Sequence, residues 1–278
     1  MRGTLGEKIG EGGSADIHAW APGRVVKLFK PGIDPGTSRH EAQMTRAAFA
    51  AGLPAPQVFD EVTVDGRFGV VLSRLDGPTL LQLVKAGALT REQTGAILAA
   101  LALAVHRTPP PACAMSVRKW VHVLSREPGH LLPQHLVPGV FTLLKRLPPE
   151  DGLCHGDLHP GNVIMTAEGP RLIDWTFMRR AGGGLDLAHC HVSLTEIVPE
   201  GHDDPERPRA TNAAMQAEYA RLTGLSPAAL TAAIDAYLPL VRAFLLFVWP
   251  GPPTRRAQLI ERVEAALHEP TSVSSRTK

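Results

Sequence analysis

The sequence has too few cysteines, too balanced a charge and too short a set of apolar runs for several common functions. Cys113, Cys154 and Cys190 are odd in number, far apart and without Cys-x-x-Cys spacing, so neither a disulfide framework nor a zinc knuckle is expected. A reducing cytoplasm suits that usage, and Cys154 reads as a small buried thiol rather than a nucleophile, because no activating context surrounds it. The 29 basic and 27 acidic residues leave a formal charge of +2, which supplies no long-range field for nucleic acid or an anionic membrane. Residues 1–8 carry glycines and charges where a signal peptide needs an apolar stretch. The greasiest windows, 96–105 and 237–249, are too short to span a bilayer, and Pro239 and Arg242 interrupt the second. The expectation is a soluble, cytoplasmic protein with no nucleic-acid or membrane partner. No internal repeat or low-complexity tract is present.

What is present is a sizeable apolar fraction, 44% of 278 residues, enough for one large domain or two lobes. The chain is organised around His155-Gly156-Asp157-Leu158-His159-Pro160-Gly161-Asn162, followed after a short strand pattern by Ile173-Asp174-Trp175. In a loop held between strands, Asp157, Asn162 and Asp174 can converge on one small volume. Asp157 can accept a proton from an attacking hydroxyl, while Asn162 and Asp174 offer oxygen ligands to a hard cation such as Mg2+. Gly156 and Pro160-Gly161 oppose the helix that would bring His155 and His159 to one face, so no zinc site is expected there.

Residues 5–9 and 15–20 read as strands around a flexible loop, Gly10, Glu11, Gly12, Gly13 and Ser14, whose N–H groups can meet phosphate oxygens. A plain hairpin turn has the same composition. Residues 24–29 form a third strand in which Lys27 shares a face with Val25 and Phe29, under the glycine loop; a lysine guarding a sheet edge is the alternative. A helix is predicted over 39–51, closed by Gly52. Its Glu41 can pair with Lys27 and aim the ammonium at nucleotide phosphates, or close a capping box with Ser38. If Asp34 caps and Pro35 opens the helix, Glu41 is free to face the sheet. Two further strands, 57–64 and 67–73, flank the hairpin signal Asp65-Gly66. A hinge follows at 74–78, and an adenine ring can dock on the backbone of Ser73 to Leu75, although an interlobe linker needs the same residues.

Beyond the hinge, helices are predicted at 79–86, from Thr90 to His106, at 116–125 and at 134–147, with His106 capping carbonyls in its last turn. Helices resume at 211–222, 226–237, 239–247 and 254–267, where Phe244, Phe247 and Trp249 fall at core spacing but can also line an acceptor pocket. Glu196, Glu200, Asp203, Asp204 and Glu206 form an acidic stretch able to attract a polycation, although Arg207 and Arg209 favour a solvated loop. Residues 269–278 read as a frayed tail.

His155-Gly156-Asp157 with Asn162, then Ile173-Asp174-Trp175, resembles the signature of the aminoglycoside phosphotransferase and choline kinase-like family, relatives of protein kinases. Residues 9–14, Lys27, Glu41 and the hinge fall in the family's order, so the resemblance covers about residues 5–190. It implies an α+β, two-lobed protein kinase-like fold: a small antiparallel-sheet lobe with one helix over 1–75, and a larger mainly helical lobe over 76–268. It also implies ATP and Mg2+ as cofactors and a small-molecule hydroxyl as acceptor. Asp157 becomes the catalytic base, Asn162 and Asp174 the metal ligands, and Lys27, held by Glu41, the contact to the α- and β-phosphates beneath Gly10, Gly12, Gly13 and Ser14. His155 orders the loop, and Asp186 matches an acid that supports it. Gly156 stands where protein kinases carry an arginine, and residues 179–184 leave little room for an activation loop. A glycine run there replaces the family's usual Asp-Pro. The competing readings are a nucleotide-binding module without catalysis and a protein kinase.

Overall fold

The computed structural model describes residues 4–127, 130–197, 204 and 206–268. Its first part is a five-stranded sheet built from β1 (Lys8–Glu11), β2 (Ala15–Ala21), β3 (Arg24–Phe29), β4 (Val58–Val64) and β5 (Arg67–Ser73), with α1 (Pro35–Ala50) between β3 and β4. The strand order is β1-β2-β3-β5-β4 and every pairing is antiparallel. The β4–β5 turn places Asp65 at φ 49° and Gly66 at φ 76°, the left-handed pair that matches strand twist in a two-residue hairpin. Ala15, Phe29, Ala42 and Val70 close a small apolar core between the sheet and α1.

Pro35 opens α1 with Asp34 in the N-cap position, so the helix begins four residues before the predicted Arg39. The Ser38 hydroxyl donates to Pro35 O instead of capping, which places Glu41 in the second turn facing the sheet. β1 starts at Lys8 and runs on to Glu11, so Gly10 belongs to the strand, not to the glycine loop. It is partnered with Ile17, and the turn narrows to Gly12-Gly13-Ser14, closed by Gly12 N–H on Ala15 O.

The second part is mainly helical. α2 (Leu80–Lys85) and α3 (Arg91–His106) each open on a capping box, Thr90 with Gln93 as its spacing predicts and Thr79 with Gln82 in addition. α4 (Val117–Leu124) and α5 (Val137–Arg146) follow, then β6 (Leu153–Cys154), β7 (Val163–Thr166), β8 (Gly169–Leu172), β9 (Arg179–Arg180) and α6 (Gly184–Val192). β6 pairs with β9 and β7 with β8, so two small ribbons carry the central motif. α7 (Glu206–Thr223), α8 (Pro227–Asp235), α9 (Leu238–Val248) and α10 (Pro253–His268) complete the described chain. One apolar cluster joins α3, α4, α6, α7 and α9, with Leu98, Val121, Leu187, Met215 and Leu246 all buried.

Pro227–Val248, spanning α8 and α9, is 22 residues long and apolar enough to cross a membrane by length and composition, unlike the shorter window expected. Half of its apolar 18-residue window is buried, with Ile234, Leu240 and Phe247 in the core. Met1 to Gly3, Glu200, Asp203 and the tail 269–278 lie outside the described residues. Of the acidic stretch, Glu196 is no solvated loop residue: it is 8% exposed and held by Arg242 at 2.8 Å and Arg262 at 2.7 Å. Asp204 accepts Arg207 N–H ahead of α7, and Glu206 pairs with Arg209 at 2.5 Å.

Candidate active site

The central loop is held from behind by one buried carboxylate. Asp186, in the first turn of α6, accepts His155 N–H at 2.8 Å on Oδ2 and Gly156 N–H at 2.7 Å on Oδ1, and His106 Nε2 lies 3.1 Å from Oδ2. Burial would raise the Asp186 carboxyl, but the bond from His106 and these charge-assisted contacts hold it below the ordinary value. His106 therefore bonds Asp186 and the Tyr219 hydroxyl (2.8 Å) rather than helix carbonyls, because α3 ends against α6 and α7. Cys154 joins His106 and Asp186 in a tight group, yet its thiol donates to Gly182 O and burial pushes it well above its usual range. Buried and protonated, the thiol is inert, as its sequence context indicates.

His155 is fully buried; its Nε2 reaches Ile173 O at 3.1 Å and its Nδ1 accepts Asp157 N–H at 3.2 Å. The imidazole thus ties the loop to the strand leading into Asp174. Asn162, at the end of a 3-10 turn over Pro160–Asn162, donates Nδ2–H to both Asp157 O and Asp157 Oδ2 at 2.9 Å. With Nδ2 committed to Asp157, Asn162 keeps its side-chain oxygen for another partner. Asp174 sits in the left-handed region at φ 63°, an uncommon conformation for a non-glycine residue, and its Oδ1 accepts the Thr176 hydroxyl at 2.9 Å. Burial acts to raise its carboxyl, but Lys27 together with the Thr176 hydroxyl and the nearby histidines more than offsets that and holds it below the ordinary value.

Lys27 Nζ is 2.5 Å from Glu41 Oε1 and 3.6 Å from Asp174 Oδ2, so strand β3, helix α1 and the turn after β8 meet at one ammonium. Burial opposes that charge, but Glu41 and Asp174 more than offset it and raise the lysine above its ordinary value. Thr176 donates to Glu41 Oε2 at 3.2 Å as well as to Asp174, linking the two acids. Of the sequence-predicted residues, Lys27, Glu41 and Asp174 are thereby brought together, as are Asp157 and Asn162, and Ile173 N–H on Asn162 O at 3.0 Å joins the two groups. Gly12, Gly13 and Ser14 form the turn between β1 and β2, next in the sheet to the lysine strand; Gly13 and Ser14 N–H have no protein acceptor among the described residues. Ser73 N–H is taken by Gln57 O, whereas the backbone of Leu75 makes no hydrogen bond to another described residue.

Four residues of the site were not singled out from sequence. His189 Nε2 stands 3.5 Å from Asp157 Oδ1, with the His159 imidazole 3.6 Å from the same oxygen. Burial holds His189 below the ordinary histidine value, favouring the neutral ring. Its i, i+3 relation to Asp186 on α6 is the signal that places both on the face turned to the loop. Thr176, His40 and Arg179 gave no periodic or motif signal; they meet because α1 packs on the 3-10 turn Trp175–Phe177.

The glycine run is explained by packing. Gly182 N–H donates to the Tyr237 hydroxyl at 2.9 Å, and a Cβ at Gly183 or Gly184 would strike His106 or the α8 carbonyl of Ala233. Phe244 and Phe247 are buried, as core spacing requires, and Phe244 also walls a small cavity with Gly156 and His189.

The family described as phosphotransferase enzyme family matches residues 8–225. No curated protein sequence matches the chain. Among solved structures, an aminoglycoside-3'-phosphotransferase of type VIII is similar at 22% identity over 84% of this chain and 93% of its own, TM-score 0.56. A putative fructosamine-3-kinase from Haemophilus somnus is similar at 14% identity over 94% and 91%, TM-score 0.60. An aminoglycoside phosphotransferase from Streptomyces rimosus, solved with ADP and streptomycin, is similar at 19% identity over 84% and 90%, TM-score 0.54. At these identities the likeness is one of fold, and it makes the α+β architecture protein kinase-like. The family match runs from β1 through the glycine turn, the lysine strand, the loop of Asp157 and Asn162, and Asp174, to the end of α7; the chain belongs to the phosphotransferase enzyme family.

Proposed function

We propose that this protein transfers the γ-phosphoryl group of ATP to a hydroxyl of a small molecule, using Mg2+, in a cleft between residues 1–75 and 76–268. The observation that carries this reading is the meeting of Lys27, Glu41 and Asp174 beside the Asp157–Asn162 pair. Phosphoryl transfer needs positioning and charge neutralisation more than covalent help, and these are groups of that kind.

Asp157 orients the acceptor hydroxyl and takes its proton. Asn162, bonded to Asp157 through Nδ2, holds that carboxylate in place. Lys27 contacts the α- and β-phosphates with Glu41 fixing its direction, and the N–H groups of Gly13 and Ser14 close over them. The adenine edge pairs with the free backbone groups at Leu75, next to Ser73. Asn162 and Asp174 suit a hard cation, since both offer oxygen and neither is committed to a thiol or imidazole partner. Bound there, Mg2+ would neutralise charge on the phosphate oxygens.

A small acceptor is favoured over a protein because α6 begins at Gly184, ten residues after Asp174, leaving no peptide platform. The test is acceptor-dependent ADP release with magnesium-ATP over a panel of hydroxylated metabolites, amino alcohols and aminoglycosides, the last included because streptomycin and gentamicin occupy two of the similar structures. No release with any acceptor, together with an Asp157→Asn variant that keeps every measurable activity, would defeat the reading.

A further inference from the structure

Arg179 is an anomaly in the charge pattern of this molecule. Its side chain is buried, 3% exposed, yet among the described residues no carboxylate lies within ion-pair distance of it. Nη1 donates to Met178 O at 2.6 Å and Thr176 O at 3.2 Å, and the guanidinium lies 4.4 Å from the centre of the Trp120 ring. The other edge is unanswered at Nε, which is buried with no hydrogen-bond partner. Burial pushes the group down only to about 10, so it remains cationic at neutral pH. A buried charge with an unanswered edge is costly, and such a group calls for an explanation.

The location says what kind of partner. Arg179 lines a cavity of about 10 Å³, room for one water, whose other walls include Trp120, Gly156, Phe177, His189 and Phe244. Gly156 precedes Asp157 in the chain, and His189 lies 3.5 Å from the Asp157 carboxylate, so two walls of the cavity adjoin that group. An Nε/Nη2 edge is the bidentate fork that fits carboxylate or phosphate oxygens. One oxygen of such a group fits a water-sized hole. The walls are aromatic and apolar apart from Arg179 and His189, and no carboxylate is among them.

We infer that the acceptor is a hydroxylated small molecule bearing an anionic group, carboxylate or phosphate, and that Arg179 is its counter-charge and the residue that sets acceptor specificity. This rests on the phosphotransferase reading above. It makes a polycationic aminoglycoside a poor substrate for this chain.

The experiment uses the full chain with magnesium-ATP and matched acceptors: hydroxy acids against their primary amides, sugar phosphates against the free sugars, and aminoglycosides. Acceptor-dependent ADP release is followed for the parent and for Arg179→Met and Arg179→Lys. Anionic members are expected to exceed their neutral partners at least tenfold in kcat/KM, with the carboxylate and phosphate arms deciding which anion is preferred. Arg179→Met should bring the ratio to near one through KM, and Arg179→Lys should restore part of it. A preference for neutral or polycationic acceptors overturns the inference while leaving phosphoryl transfer intact. So does an equal fall for both members of each pair, which would make Arg179 a structural clamp on the turn at Thr176. If nothing is phosphorylated, inorganic phosphate and the hydroxy acids are titrated into the magnesium-ADP complex by calorimetry; an absence of Arg179-dependent binding then overturns the inference.

Discussion

Lys27 Nζ and Glu41 Oε1 lie 2.5 Å apart across the interface of β3 and α1, with side-chain exposures of 12% and 7%. Removing one member of such a pair leaves the other buried without compensation, which costs about 3–5 kcal/mol, whereas replacing both by apolar groups is often nearly neutral. Lys27→Met is therefore expected to lower the melting temperature sharply. Lys27→Met with Glu41→Leu should recover most of the loss, and both variants should lose the ATP-induced thermal shift. Equal melting losses in the single and double variants would count against a coupled pair.

Asp157→Asn keeps the shape of the site and removes the proton acceptor. Acceptor-dependent ADP release should fall by about 10²- to 10⁴-fold, the usual range for loss of a general base. The melting temperature should move little, since the Asp157 carboxylate is partly exposed and its backbone contacts persist.

A nucleotide stabilises the state it binds. ATP should raise the melting temperature more with magnesium than with a chelator, and Asp174→Asn should erase that increment. A shift indifferent to magnesium in the parent protein would argue against Asn162 and Asp174 as the cation ligands.

His189, His40 and His191 are each held below the ordinary histidine value, burial being the leading cause. A histidine depressed in the folded state binds its proton more readily when unfolded, so its contribution is complete above about pH 6.5 and is lost as the pH falls towards the lower folded value. Melting temperature should accordingly drop between pH 7.5 and 5.5. His189→Gln, which cannot take up the proton, should flatten that slope; an unchanged slope would show that His189 does not contribute to it.

Gly156 has φ 84°, and a Cβ there would collide with Phe177 O. Gly156→Ala should destabilise the protein by about 1–3 kcal/mol, the range for a residue forced into a sparsely populated conformation. Chemical denaturation measures this, and a neutral result would mean that the loop at Phe177 yields freely. The same geometry gives Gly156 a local reason to exist, apart from the arginine that protein kinases place there.

Local signals carried much of the architecture. The bounds of β3, the Asp65-Gly66 hairpin and the capping box at Thr90 all depend on residues within a few positions of one another, so composition and spacing suffice to read them. The motif residues Asp157, Asn162 and Asp174 were legible for a similar reason: one short loop and one ribbon, β7–β8, separate them. The glycine turn begins two residues later than expected and ends at Ser14 as expected, since pairing of Gly10 with Ile17 is a matter of sheet register rather than of glycine content.

By itself the sequence determined the order of elements, the α+β plan and the polar residues of the candidate site, because periodicity, turn chemistry and short spacing are near-neighbour properties. Only the tertiary structure decided which partner each charge would keep. Glu41 chose Lys27 over the Ser38 cap once Pro35 set the helix start, and Glu196 left the acidic stretch to sit between arginines of α9 and α10. His106 bridged to Asp186 instead of capping its own helix, and Arg179 was buried with its Nε unanswered. These pairings join residues far apart in sequence, and only the packing of whole helices and strands brings them within reach of one another.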